Sequence, residues 1–184
     1  MEITWTKVIV FAGTSGVLSA LVAHALSVFH EFRNKGRQAA YLAIRLATAL
    51  ETFADDCLSI IGEFDTHRQS HGAAGDQTTR LPALPVFPAD EDGWHALPTE
   101  LTAKVLAFPN LVKASQEKVS FTWTVAGELA AWDDCEEECA QLGLTAWLIA
   151  VELRERFSFP PFEPRYDIGG ALKRAVAEWN AKRE

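Results

Sequence analysis

The chain has 184 residues and a formal net charge of −8; 48% of its residues are hydrophobic and 23% charged. A chain of this size and polarity can bury one core, with or without an appended segment, so a disordered or collagen-like polypeptide is excluded. The negative balance argues against a nucleic-acid partner held by phosphate neutralisation, and three cysteines are too few for a disulfide scaffold and fit a reducing compartment.

The N-terminus is set apart by composition. Val8 to Phe29 is a run of 22 residues without Asp, Glu, Lys or Arg, and a helix of that length matches about 30 Å of hydrocarbon. Trp5 and Lys7 precede the run; His30, Arg33, Lys35 and Arg37 follow it. This pattern predicts a single transmembrane helix, and the excess of cations after it predicts an outside N-terminus and a cytoplasmic body. Four of the 17 cations but only two of the 25 acids precede residue 38, so a basic flank separates the apolar run from an acidic remainder. Ala12, Gly16 and Ala20 fall on one helix face, where small residues allow close helix packing in lipid. Ala23-His24-Ala25 offers a competing reading, in which a signal peptide is cleaved near Ala25 and a helical protein is secreted.

Gln38 to Phe64 reads as the first bundle helix, with Leu42, Leu46, Ala49, Phe53, Cys57, Ile60 and Phe64 three or four residues apart. Gly36 is the only breaker before it, so one long helix can run from the apolar segment into the body. Residues 66–97 form a Pro/Gly-rich loop that either moves freely or wraps the helices with Leu84, Val86, Phe87 and Trp94.

Thr99-Glu100-Leu101-Thr102 predicts a helix start, with a short helix to Ala107 or Phe108 that stops at Pro109. A longer helix is predicted to follow, to Ala131, with a face of Leu111, Ser115, Val119, Thr122, Ala126 and Leu129. Asp133-x-x-Glu136 resembles a capping box and predicts the next helix, which the Pro160-Pro161 pair ends. A last short helix is expected over residues 167–181.

The sequence therefore predicts an all-α protein: a transmembrane anchor with a basic flank (1–35), a first bundle helix (36–65), the loop (66–97) and the remaining helices of a small antiparallel bundle (98–184). Cys135 and Cys139 are four apart and could share a soft metal such as zinc. They also lie on the apolar stripe of Leu142, Ala146, Ile149 and Leu153, where cysteine packs as a small hydrophobe. The acids Asp133, Asp134, Glu136, Glu137 and Glu138 read as a solvated helix start. No phosphate loop, nucleophile elbow or kinase motif occurs, and no residue set points to a catalytic centre or a cofactor.

The expected function is that of a membrane-anchored helical interaction or scaffold protein. Its partners would be the bilayer, a second copy or another membrane protein through the N-terminal helix, and a cytoplasmic protein. The alternatives are a metal-binding or redox-sensing bundle using Cys135 and Cys139, and the secreted form.

Overall fold

The computed structural model describes residues 5–183, with side chains at 24, 26–31 and 33–183. Helix α1 (Trp5–Gln69) runs without a break through Gly36. From Ala39 onward its buried positions are Leu42, Ala43, Leu46, Ala47, Leu50, Phe53, Ala54, Cys57, Ile61 and Phe64, the three-and-four spacing of a helix with one apolar face. Before Ala39 the described side chains from Leu26 to Arg37 are all exposed.

The anchor reading is corrected here. Among the described residues no helix is long and apolar enough to cross a membrane. The single-pass span, and the outside-to-cytoplasm topology built on it, fall together. In the described part of α1, Leu26, Val28 and Phe29 are interleaved with His24, Ser27, His30 and Glu31, and the apolar stripe that follows faces protein. The small-residue face at Ala12, Gly16 and Ala20 and the proposed cleavage residue Ala25 lie outside the described side chains; α1 itself passes through all four positions.

The segment after α1 is extended and wraps the bundle. Gln116 fixes it with two bonds, accepting from the Leu81 amide at 2.9 Å and donating to the Thr79 carbonyl at 3.0 Å. Leu81 and Leu97 are buried. Between them lies a short helix absent from the sequence reading, α2 (Glu91–Ala96), whose N-cap Asp90 accepts from the Gly93 amide at 3.1 Å.

Helix α3 (Thr99–Ala126) differs from expectation three times, the first being its end five residues before the expected Ala131. It starts behind Pro98 with no side-chain cap, and it continues through Pro109 instead of breaking there. A mid-helix proline removes one backbone bond and costs about 3 kcal/mol. Val105, Phe108 and Val112 around it are buried, and each such burial returns about 1.5–3 kcal/mol. Packing therefore carries the helix past the proline.

Gly127 ends α3 and begins α4 (Glu128–Arg156) in a single residue. Its φ of +91° and ψ of −179° lie where side chains other than glycine's are strained. Helix α4 thus starts five residues before the expected Asp133 cap, which sits inside it. The last helix is α5 (Ile168–Arg183), where Asp167 Oδ1 accepts from the Gly170 amide at 2.8 Å. No strand occurs among the described residues.

Helix α4 is the centre of the bundle. It packs on α1, α3 and α5, running antiparallel to each. Ala140, Gly143, Ala146 and Ala150 keep its surface small. A Cβ at Gly143 would come within 2.9 Å of both Cys57 Cβ on α1 and a Leu172 methyl on α5. On the far side, Phe53 and Phe108 meet edge to face with ring centroids 5.1 Å apart.

Gly143→Val is expected to push α1 and α5 off α4 and lower unfolding stability by about 2 kcal/mol through overpacking. Urea titration followed by far-UV circular dichroism measures it; an unchanged midpoint would contradict the close approach at Gly143.

Candidate functional site

The glutamates of the acidic run of α4 are packed between helices instead of forming the solvated start that the sequence suggests; Asp133 alone of the run is exposed. Glu136 and Glu137 are buried, at 4% and 6% exposure. Each residue along an α-helix turns about 100° from the last, so three consecutive glutamates point to three directions. Glu136 faces α1 and accepts from both terminal guanidinium nitrogens of Arg68, Nη1 at 2.5 Å and Nη2 at 2.6 Å. Glu137 faces α5 and meets Arg183 at 2.6 Å. Glu138 faces α3, accepting from Lys118 at 2.7 Å and from the Ser115 hydroxyl at 2.5 Å. Asp134 completes the α3 side, accepting from the Thr122 hydroxyl at 2.5 Å.

The cations respond to this. The hydrogen bond to Glu136 holds Arg68 above its ordinary value, against the opposing effect of burial. Burial pulls Lys118 down, but the hydrogen bond it donates to Glu138 and the charges of Glu138, Glu137 and Asp134 outweigh it, so its ammonium is also favoured. The carboxylates are thus engaged with protein cations.

A second clamp lies near the other end of α4. Arg154 binds Glu51 of α1 through Nε at 2.5 Å and Nη2 at 2.8 Å, and donates to the Pro160 carbonyl at 3.0 Å. Both side chains are almost fully covered, at 12% and 6% exposure. The pair borders a cleft of about 320 Å³ between Trp147, Val151, Phe159 and Phe162. Arg154 already carries its counter-charge there, so the cleft offers aromatic walls and no free cation.

The three cysteines are brought together in the core as free thiols, all buried. The hydrogen bond with Cys139, followed by burial, pushes Cys135 far above the ordinary thiol value. For Cys139, the bond with Cys135 lowers the value, and the bond with Cys57 together with burial more than reverses it. Neutral buried thiols are poor nucleophiles and poor metal ligands. Among the described residues no group of three or more His, Cys, Asp or Glu side chains is placed to hold a metal ion.

The outward features lie elsewhere. Val119 on α3 and Ala131 on α4 are fully buried, and between them the hairpin leaves the core. Phe121 is 68% exposed, Trp123 55%, Val125 68% and Leu129 73%. The expected inward face of this helix is therefore only partly realised: Val119 is buried, whereas Leu111, Ala126 and Leu129 are exposed. Glu128 is the only charged residue from Ser120 to Ala130. The hydroxyls here are bonded to their own helix: Ser120 donates to the Gln116 carbonyl at 2.8 Å and Thr124 to the Ser120 carbonyl at 3.0 Å. An apolar groove of about 470 Å³ lies further along α3, between Val112 and the wrapped segment at Leu81, Pro82 and Leu84. Period-based reading misses the tip because a helical stripe looks the same whether another helix covers it or not; the glycine at 127 is the signal that marks it.

No protein-family model, curated protein or solved structure matches the chain.

Two predictions follow from the core. Arg154→Met leaves Glu51 buried without a partner and should cost about 3 kcal/mol, whereas adding Glu51→Leu should restore most of that loss. Equal stability of the single variant and wild type by urea titration would show that the clamp is not closed. The second concerns pH. Raised thiol values in the fold mean that the native state keeps protons that the unfolded chain releases. Stability is then full below the ordinary thiol value of 9.0 and falls above it, by up to about 1.4 kcal/mol per pH unit per thiol. The Cys135→Ala/Cys139→Ala variant should lose that part of the slope in unfolding titrations between about pH 8 and 10.

Proposed function

We propose that this chain is a helical interaction protein, acting by binding other protein surfaces and not by catalysis. The observation that supports this is the tip of the α3–α4 hairpin, where Phe121, Trp123, Val125 and Leu129 face solvent around Gly127. Large apolar side chains left exposed at a hairpin tip favour a contact that removes them from water. The inward chemistry supports the same reading: the carboxylates of α4 are engaged by Arg68, Lys118 and Arg183 or by hydroxyls, and Arg154 of α4 engages Glu51 of α1, so these charges serve to hold helices together. The N-terminal part of α1 is a second candidate contact, with Leu26, Val28 and Phe29 more than half exposed.

The test is affinity purification of the tagged full-length chain from its native host, with retained proteins quantified by mass spectrometry. Wild type is compared with Phe121→Ser/Leu129→Ser. A near-stoichiometric companion, either another protein or an untagged copy of this chain, should be retained by wild type and fall at least about tenfold in the variant. Retention of nothing, or of a companion indifferent to the substitutions, overturns the assignment to this tip.

A further inference from the structure

We infer that the cleft under the connection from α4 to α5 is a binding site for a small aromatic amine. Trp147, its nearest wall on α4, lies about 30 Å along that helix from Gly127, so the site is separate from the hairpin tip and does not rest on the interaction reading.

The connection, residues 157–167, is non-helical and carries Pro160, Pro161 and Pro164. It is pinned to α4 where Arg154 donates to the Pro160 carbonyl, and to α1 where the Tyr166 hydroxyl donates to Asp55. Beneath it lie two lobes, of about 320 and 420 Å³. Glu51 and Phe162 line both, so the lobes meet at these two side chains. Each volume falls in the range of about 300–1,000 Å³ that holds small ligands.

The first lobe is shaped for a ring. Its walls include Trp147, Phe159 and Phe162, with Val151 and Pro161 between them. The Trp147 and Phe162 rings are tilted by 53° with centroids 6.2 Å apart, and Phe162 is 41% exposed. A planar aromatic guest gains edge or offset contacts from such walls.

The hydrogen-bonding inventory of the second lobe selects the other end of the ligand. Thr48 donates to the Ile44 carbonyl at 2.9 Å and Thr52 to the Thr48 carbonyl at 3.0 Å, which leaves both hydroxyl oxygens as acceptors only. Asp55 takes one hydroxyl and Glu51 two guanidinium N–H groups, whereas a carboxylate has about four acceptor positions. Glu51 is 5% exposed, so its remaining positions are reached from the cleft and not from bulk water. Glu163 adds a third carboxylate. Among the described residues that line this lobe, only Arg165 has a side chain that donates without accepting. An ammonium group, with three donors and no acceptor, matches that lining. Charge agrees: the carboxylates of Glu51, Asp55, Glu155 and Glu163 outnumber the guanidiniums of Arg154 and Arg165 over the two lobes, which disfavours an anion. The faces of Phe162 and Tyr166 add cation–π attraction. Because the lobes meet at Glu51, a short linker joins the ring to the amine.

The experiment is isothermal titration calorimetry of the purified full-length chain at neutral pH with 2-phenylethylamine and with 3-phenylpropionate. These probes share a ring and a two-carbon linker and carry opposite charges. The amine is expected to bind saturably with a dissociation constant near or below about 1 mM, and the acid at least about tenfold more weakly. Asp55→Asn should weaken the amine by about tenfold and narrow its advantage over the acid. Val151→Phe fills the aromatic lobe and should abolish binding, whereas Phe121→Ser at the hairpin tip should leave it unchanged. In nuclear magnetic resonance spectra of the wild type, the Trp147 indole N–H signal, identified by its loss in Trp147→Phe, should move as the amine is added.

No saturable binding of the amine up to about 10 mM overturns the inference. Equal affinity for the acid overturns the choice of an amine, and amine binding indifferent to both Asp55→Asn and Val151→Phe overturns the site. If Val151→Phe fails to fold, Asp55→Asn and the Trp147 signal decide: an unchanged affinity with an unmoved signal sinks the proposal. None of these outcomes bears on whether a protein is retained through the tip.

Discussion

Three neighbouring carboxylates hold this bundle together. Glu136, Glu137 and Glu138 follow one another on α4, and helix geometry alone turns them toward α1, α5 and α3. Each finds a cation on a different helix: Arg68, Arg183 and Lys118. The cations keep part of their surface in water while the carboxylates of Glu136 and Glu137 are buried. That asymmetry sets their value. Buried charge pairs add little over apolar packing, but a carboxylate left without its cation is strongly unfavourable. The trio therefore acts as a specification of which helix sits where, over a core whose attraction comes from Leu, Phe and Ala.

The apolar part of that core is arranged around the same helix. Small residues along α4 admit the larger side chains of its neighbours, with Cys57 and Leu172 closing on Gly143. The thiols of Cys57, Cys135 and Cys139 belong to this packing: small, polarisable and buried. The Glu51–Arg154 pair fixes the register of α1 against α4 near the far end, so two charge clamps bracket the apolar contact between these helices.

Much of this was legible in the residues. The stripes from Leu42 to Phe64 and from Cys135 to Leu153 gave both long core helices, and a lone Gly36 was rightly weak enough for α1 to continue. Local rules failed where tertiary contacts prevailed. Pro109 reads as a stop, yet burial of Val105 and Phe108 carries α3 through it. Asp133 reads as a cap because acids gather at helix starts, but these acids sit within α4 to meet cations as many as 68 positions away. Spacing within one helix holds no record of such partners. The apolar run near the N-terminus has the same ambiguity: composition there matched lipid, whereas no described helix is apolar enough to span it. The hairpin tip was visible as sequence and invisible as surface.

The spread of the three glutamate contacts also sets an order of events during synthesis. Arg68 and Lys118 are translated before residue 136, and Arg183 long after it. A growing chain that has released α1, the wrapped segment and α3 holds the cations of a core without the carboxylates that orient them. Helix α4 supplies all three at once, within a single turn. Most of the native arrangement therefore becomes available late, with the helix that arrives fourth, and Arg183 of α5 completes it. Until then the apolar stripe of α1 has no lasting cover, and the nascent protein passes through an interval in which chaperone capture competes with folding.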